Sequence, residues 1–131
     1  MTLMVSGLYA GLTALLVLAL SYKVVKFRRA NKIGIGDGGH QGLSVAIRAH
    51  GNLIENAPIV LILLVLAEFN GMPMYLVHCL GTAWIVARLL HAIGLNQGKG
   101  DYHFGRFYGV LITWIVLLIL AVANIGFFLG L

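Results

Sequence analysis

Acidic side chains are nearly missing from this sequence: four Asp and Glu stand against nine Lys and Arg in 131 residues. Charged residues of both signs make up 10% of the chain, and hydrophobic residues 60%. Soluble domains carry about one quarter charged residues, so composition argues against a water-soluble globule. The single cysteine, Cys79, excludes an internal disulfide and a cysteine-rich metal centre. In an apolar segment it reads as a small packing residue, and no metal site is expected. Residues 3–22 contain no charge at all. No basic segment precedes them and their positive charges follow, so they are expected to span a membrane rather than act as a cleaved signal. Base-stacking aromatics are also absent from the basic stretch, where Phe27 stands alone. The net charge of +5 therefore does not point to a nucleic-acid partner.

What is present is long apolar runs. A hydrocarbon core about 30 Å thick needs about 20 apolar residues in helix. Residues 3–22, 74–95 and 107–131 each meet that length, the second interrupted only by His78, Arg88 and His91. A fourth run, IVLILLVLA at 59–67, covers only about 13 Å at the helical rise. Either it is re-entrant, or the helix extends back through RAHGNLIENAP (48–58) to about Leu43. The second choice gives four spans and places Arg48, Asn52 and Glu55 inside the membrane zone. At 100° per residue these three fall within roughly 60° of arc. Exposure to lipid would be costly, so the stripe is expected to face inward, toward protein or water. Pro58 lies beyond the stripe and is expected to bend the helix.

The expected fold is an all-α membrane protein, one domain over residues 1–131, with four transmembrane helices in an up-down bundle. Spans are predicted near 3–25, 43–69, 73–95 and 106–130. The first loop holds Lys26, Arg28, Arg29 and Lys32, the second (NGMP, 70–73) no charge, the third Lys99 and Asp101, with Arg106 at its edge. Loops one and three therefore should face the cytoplasm, and both termini the opposite side, in a multi-pass protein of the cell (inner) membrane. The glycines of IGIGDGG (33–39) match a dinucleotide-binding pattern only formally, because that pattern needs a strand and a helix around it. Here they read as a flexible turn. Gly7/Gly11, Gly105/Gly109 and Gly126/Gly130 are small-xxx-small pairs that permit close helix approach.

Placed by depth, Arg48, Asn52, Glu55, Arg88, His91 and Arg106 fall into one layer in the cytoplasmic half, drawn from three helices. Three arginines and one carboxylate leave positive charge unmatched, which suits an anionic ligand. The structural alternative is that Arg88 and Arg106 snorkel and Glu55 pairs with an arginine between helices. Glu68 and His78, at the other face, are expected to be structural, and His40 and His103 to be solvated loop residues.

RAHGNLIENAP, ARLLHAIGL (87–95) and GRFYGVLITW (105–114) together resemble the MAPEG family, membrane-associated proteins in eicosanoid and glutathione metabolism. The GDGG loop is similar to that of the short bacterial branch. The resemblance covers the whole chain and implies a homotrimer of four-helix subunits binding glutathione between neighbours. It implies that Arg48, Asn52, Glu55, Arg88 and His91 hold glutathione, with Lys26 or Arg28 reaching in from a neighbouring subunit. Arg106 would stabilise the glutathione thiolate. Gly51, Asn56, Leu95 and Phe107 replace an arginine, two tyrosines and a serine found in various members, which leaves fewer donors for the sulfur.

The function implied is a glutathione-dependent membrane transferase or peroxidase acting on a hydrophobic electrophile, a small molecule or lipid. The alternatives are a non-catalytic lipid- or ligand-binding protein of this architecture and a small ion or drug transporter that uses Glu55. A transporter should usually show repeats or broken helices, and neither is visible in the sequence.

Overall fold

The computed structural model describes residues 4–131. Its elements are α1 (Val5–Asn31), α2 (Gln41–Phe69), α3 (Met74–Gln97) and α4 (Phe104–Phe128). Each is long and apolar enough to cross a membrane. The helix α2 starts at Gln41, so the backward extension through RAHGNLIENAP is real, and it carries through Pro58.

The largest departure from the expected spans is at α1. It continues to Asn31, so Lys26, Arg28 and Arg29 ride on its last turns rather than in a loop. Basic side chains at a helix C-terminus meet the negative end of the helix dipole, which favours the extra turns. Lys32 then closes the helix in the left-handed conformation, φ 54°, and the Ile33 amide donates to the Arg28 carbonyl at 3.1 Å.

His40 and His103 are not free loop residues. Each is the N-cap of a helix: His40 Nδ1 accepts from the Leu43 amide at 3.2 Å and His103 Nδ1 from the Gly105 amide at 3.1 Å. An imidazole acceptor here does the work more often done by Ser or Asp, satisfying an amide that has no partner within its helix.

Neighbouring helices run antiparallel. Glu68, at the end of α2, accepts from the backbone amides of Val5 and Ser6 at the start of α1, the latter at 2.7 Å. Lys23, late in α1, donates to Asn96, late in α3, at 2.7 Å, so α1 and α3 run in parallel. Loops one and three thus lie at one end of the bundle, and Glu68 and His78 at the other. There Tyr9 Oη lies 2.7 Å from His78 Nδ1 and 3.1 Å from Thr82 Oγ1. Glu68 and His78 tie helices together, as expected for that end.

The core is aliphatic, built from Leu43, Leu53, Val60 and Leu64 of α2, Val77 of α3, and Val116 and Leu120 of α4. Trp84 is fully buried among them and donates from Nε1 to Thr13 Oγ1 at 2.9 Å. The tightest contact joins α3 to α4. A Cβ on Gly109 would lie 2.7 Å from both the Ala87 carbonyl oxygen and the His91 amide nitrogen. A Cβ on Gly94 would run into the Arg106 amide and lie 2.7 Å from the Gly105 carbonyl carbon. Only small residues let these backbones meet. Of the three glycine pairs in the sequence, Gly105/Gly109 is the one used here; Gly7, Gly11, Gly126 and Gly130 would meet nothing within 4 Å.

Candidate functional site

The closeness of α3 and α4 sets Arg88 against Thr113, and the pairing of α2 with α3 sets it against Asn52. Arg88 Nη2 donates to Asn52 Oδ1 at 2.6 Å and Nη1 to Thr113 Oγ1 at 3.3 Å. Its guanidinium carbon stands 5.4 Å from the centroid of the Trp84 ring. The residue is 2% exposed and its Nε is buried without a partner. Arg88 therefore does not snorkel to the membrane surface. A buried cation held only by neutral oxygens and an aromatic face keeps its charge uncompensated, a costly arrangement unless an anion comes to it.

Each neutral partner is itself held. The Thr113 hydroxyl donates to the Gly109 carbonyl at 2.8 Å, so its oxygen is left to accept from Arg88. Asn56 Nδ2 donates to the Asn52 carbonyl at 2.8 Å, one turn away on the same helix. Asn52, Asn56, Arg88, Val110, Thr113 and Trp114 enclose a cleft of about 130 Å³. His91 lies one turn beyond Arg88 and is 4% exposed.

Arg48 and Glu55 belong to the same helix face but point the other way. Their side chains form an ion pair at 3.2 Å and are 53% and 58% exposed. The stripe was expected to face inward, toward protein or water; in this chain's four-helix bundle Arg48 and Glu55 face outward, and only Asn52 is drawn in by Arg88. The core-facing side of α2 is occupied by Ala46, Ala49, Leu53, Ala57 and Val60, which leaves no room for the longer polar chains. In a hydrocarbon environment an outward ion pair needs a protein or water neighbour. Glu55 is paired within its own helix, two turns from Arg48, rather than acting as glue between helices.

Arg106 sits in the first turn of α4 and donates from Nη1 to the Gly100 carbonyl at 2.7 Å. It lines a cavity of about 490 Å³ with Tyr102, His103, Phe107, Leu111 and Trp114. That cavity and the Arg88 cleft share Val110 and Trp114 as walls. An aromatic, mostly apolar chamber thus adjoins the buried cation.

Two basic residues assigned to the site by resemblance lie elsewhere in the bundle. Arg28 donates to the carbonyls of Ile33 and Gly36 at 3.4 and 2.8 Å and so braces the first loop. Lys26 lines a separate cavity with Lys23, Phe27, Ala30 and Asn31. Neither is brought to Arg88 by its own chain. Conversely, sequence reasoning assigned no part in the site to Thr113 or Trp84. Thr113 had a signal: it is the one aliphatic hydroxyl in span four, one turn past Gly109. Trp84 had a weaker one, lying one turn before Arg88.

Comparison with known proteins places the chain in context. The model of the MAPEG family matches residues 6–126. The chain is 38% identical over 124 residues to the inner membrane protein YecN of Escherichia coli strain K12, covering 95% of this chain and 92% of that protein. The same figures hold for YecN of the Escherichia coli strain CFT073.

Proposed function

This chain belongs to the MAPEG family, and from that premise we propose that it is a glutathione-dependent membrane transferase or peroxidase acting on a hydrophobic electrophile. The observation that carries the reading is the buried Arg88, held by Asn52 and Thr113 with no carboxylate beside it. Glutathione brings two carboxylates, an amine and a thiol. Guanidinium groups hold carboxylates through charge-assisted, often bidentate bonds, which suits Arg88 and Arg48. Glu55 takes the amine. His91, packed beside Arg88, shapes the floor of the site.

The assembly is a homotrimer, and glutathione lies between subunits. The outward Arg48–Glu55 pair supports this, because a neighbouring copy would cover it. Lys26 or Arg28 of that neighbour would complete the charge around the peptide. The protein sits in the inner membrane, with loops one and three in the cytoplasm.

In the reaction, Arg106 turns from the Gly100 carbonyl toward the sulfur and lowers its pKa, as a nearby cation does for a thiol. Arginine stays protonated and so stabilises the thiolate without acting as its base; the thiol proton leaves to water. The thiolate attacks an electrophilic carbon of a substrate seated in the aromatic chamber: the S–C bond forms and the leaving group departs with its electron pair. With a hydroperoxide instead, the O–O bond breaks: two glutathiones supply two electrons and two protons and become the disulfide, and the hydroperoxide leaves as an alcohol and water.

The alternative is a ligand-binding member that turns nothing over, and one contact favours it: Arg106 is already engaged by Gly100. Thiolate absorbance at ~240 nm on adding glutathione to the purified protein separates the two, because thiolate is the reactive form. A signal lost in Arg106→Ala supports the transferase site. Glutathione binding without the signal supports the ligand-binding reading, and no binding overturns both.

A further inference from the structure

At the end of the bundle that carries loops one and three, a cleft of about 430 Å³ opens between α1, α2 and α3. Lys23, Phe27, Gln41, Val45, Asn96 and Lys99 line it. None of these residues belongs to the glutathione site proposed above, and the inference does not depend on that reading. We propose that this cleft binds the phosphate of an anionic phospholipid headgroup.

The cleft is built rather than incidental. Lys23 Nζ donates to Asn96 Oδ1 at 2.7 Å, and Asn96 Nδ2 is anchored on the Ala92 carbonyl at 2.9 Å. An ammonium has three donors, so two remain for a ligand. Across the cleft, Gln41 Nε2 donates to the Lys99 carbonyl at 2.9 Å and fixes the turn that carries Lys99. Lys99 occupies the left-handed region, φ 52°, where a non-glycine residue is held only by its surroundings. Its neighbour Gly100 donates from its amide to the Leu95 carbonyl at 3.2 Å.

Charge balance favours an anion. Among the described residues the one ion pair is Arg48–Glu55, and neither of its residues lines this cleft. The acids near this end are Asp37 and Asp101. Asp37 is engaged by the Gly39 amide within its own turn at 2.9 Å, and Asp101 forms no ion pair. Lys23 and Lys99 therefore meet across the cleft without a carboxylate between them.

Position selects the source of the phosphate. The uncharged part of α1 ends at Tyr22, one residue before Lys23. Leu15, Leu18 and Tyr22 of α1 are 64, 65 and 68% exposed, a bare apolar strip leading to the cleft along which acyl chains can lie. A tyrosine at this depth marks the headgroup level of a bilayer. Basic pockets between membrane helices at this level hold lipid headgroups.

The test is native mass spectrometry of the full-length protein in detergent, with phosphatidylglycerol or phosphatidylcholine added. The protein should retain phosphatidylglycerol in preference. Each lysine near the surface is worth a factor of about five in affinity, so Lys23→Gln with Lys99→Gln should lower that preference about 25-fold. Lys23→Arg with Lys99→Arg should keep it. Arg29→Gln with Lys32→Gln, which removes the same charge outside the cleft, should also keep it. Equal losses in both Gln pairs would reduce the effect to diffuse surface charge and overturn the proposal, as would no loss in either. Displacement of the lipid by millimolar inorganic phosphate would overturn the lipid assignment in favour of a free anion. Unfolding temperatures matching the parent protein exclude misfolding as the cause.

Discussion

Arg88 Nη2 and Asn52 Oδ1, 2.6 Å apart, join α3 to α2 through a guanidinium that is 2% exposed. The bond holds a full charge in the membrane zone with a neutral acceptor, and the consequence is a trade between stability and binding. Asn52→Leu removes the acceptor and should cost about 1–3 kcal/mol, the penalty of a buried donor left unpaired. Asn52→Asp should do the reverse: it places a carboxylate on Arg88, raises the unfolding temperature and weakens glutathione binding about tenfold or more, because the peptide no longer meets a free cation. Thermal unfolding and calorimetric titration on the same samples check both. A variant that gained stability and bound glutathione as before would show that Arg88 is structural.

The contact of α3 with α4 should be intolerant at one glycine and indifferent at another. Gly94→Ala drives a methyl into the backbone at Gly105 and Arg106 and should destabilise by about 1–3 kcal/mol, as overpacking does. Gly126→Ala meets open space and should be neutral or slightly stabilising, since alanine favours helix. Denaturation in detergent compares them. Equal costs would mean that the Gly126 face is also packed, as a contact with another copy would make it.

Glu68 holds the first amides of α1. Glu68→Ala should cost about 1 kcal/mol, the usual worth of a helix cap. The effect should be local. Hydrogen exchange should quicken at Val5 and Ser6 and remain unchanged in the middle of α1.

Asp37 is held below the ordinary carboxylate range by the Gly39 amide, foremost, and then by the Ser44 hydroxyl. Its folded value is depressed, so its contribution to the first loop is present above the ordinary value of about 4 and is lost as pH falls through the folded value. Carbon NMR titration of the Asp37 carboxyl should give that lowered midpoint. In Asp37→Asn the acid-induced loosening of the turn at Gly39 should disappear.

The fold was legible because the membrane imposes a length. A nine-residue apolar run cannot cross about 30 Å of hydrocarbon, so either it was re-entrant or RAHGNLIENAP was helical; the second choice gave four spans, and α2 does begin at Gln41. One pairing within the candidate layer was legible for a related reason: charges in so apolar a chain are few, and their position along each span follows from counting residues. Arg88 and Asn52 do meet. The histidine caps were not legible, because the choice between a solvated imidazole and one turned onto an amide depends on loop geometry that spacing does not encode. The same holds for Arg28, whose length serves its own loop.

By itself the sequence determined the number of spans, their alternation and the depth of each polar residue, since the bilayer converts residue count into distance. The tertiary structure decided direction. Helical periodicity groups Arg48, Asn52 and Glu55 on one face but leaves open which way that face turns. Close packing of alanine and leucine on the other side of α2 sent Arg48 and Glu55 outward. The glycine contact between α3 and α4 closed Arg88 inward, against Thr113 and Asn52. Which cation is buried and which is bare follows from side-chain volume at the helix contacts, and only the packed structure settles that.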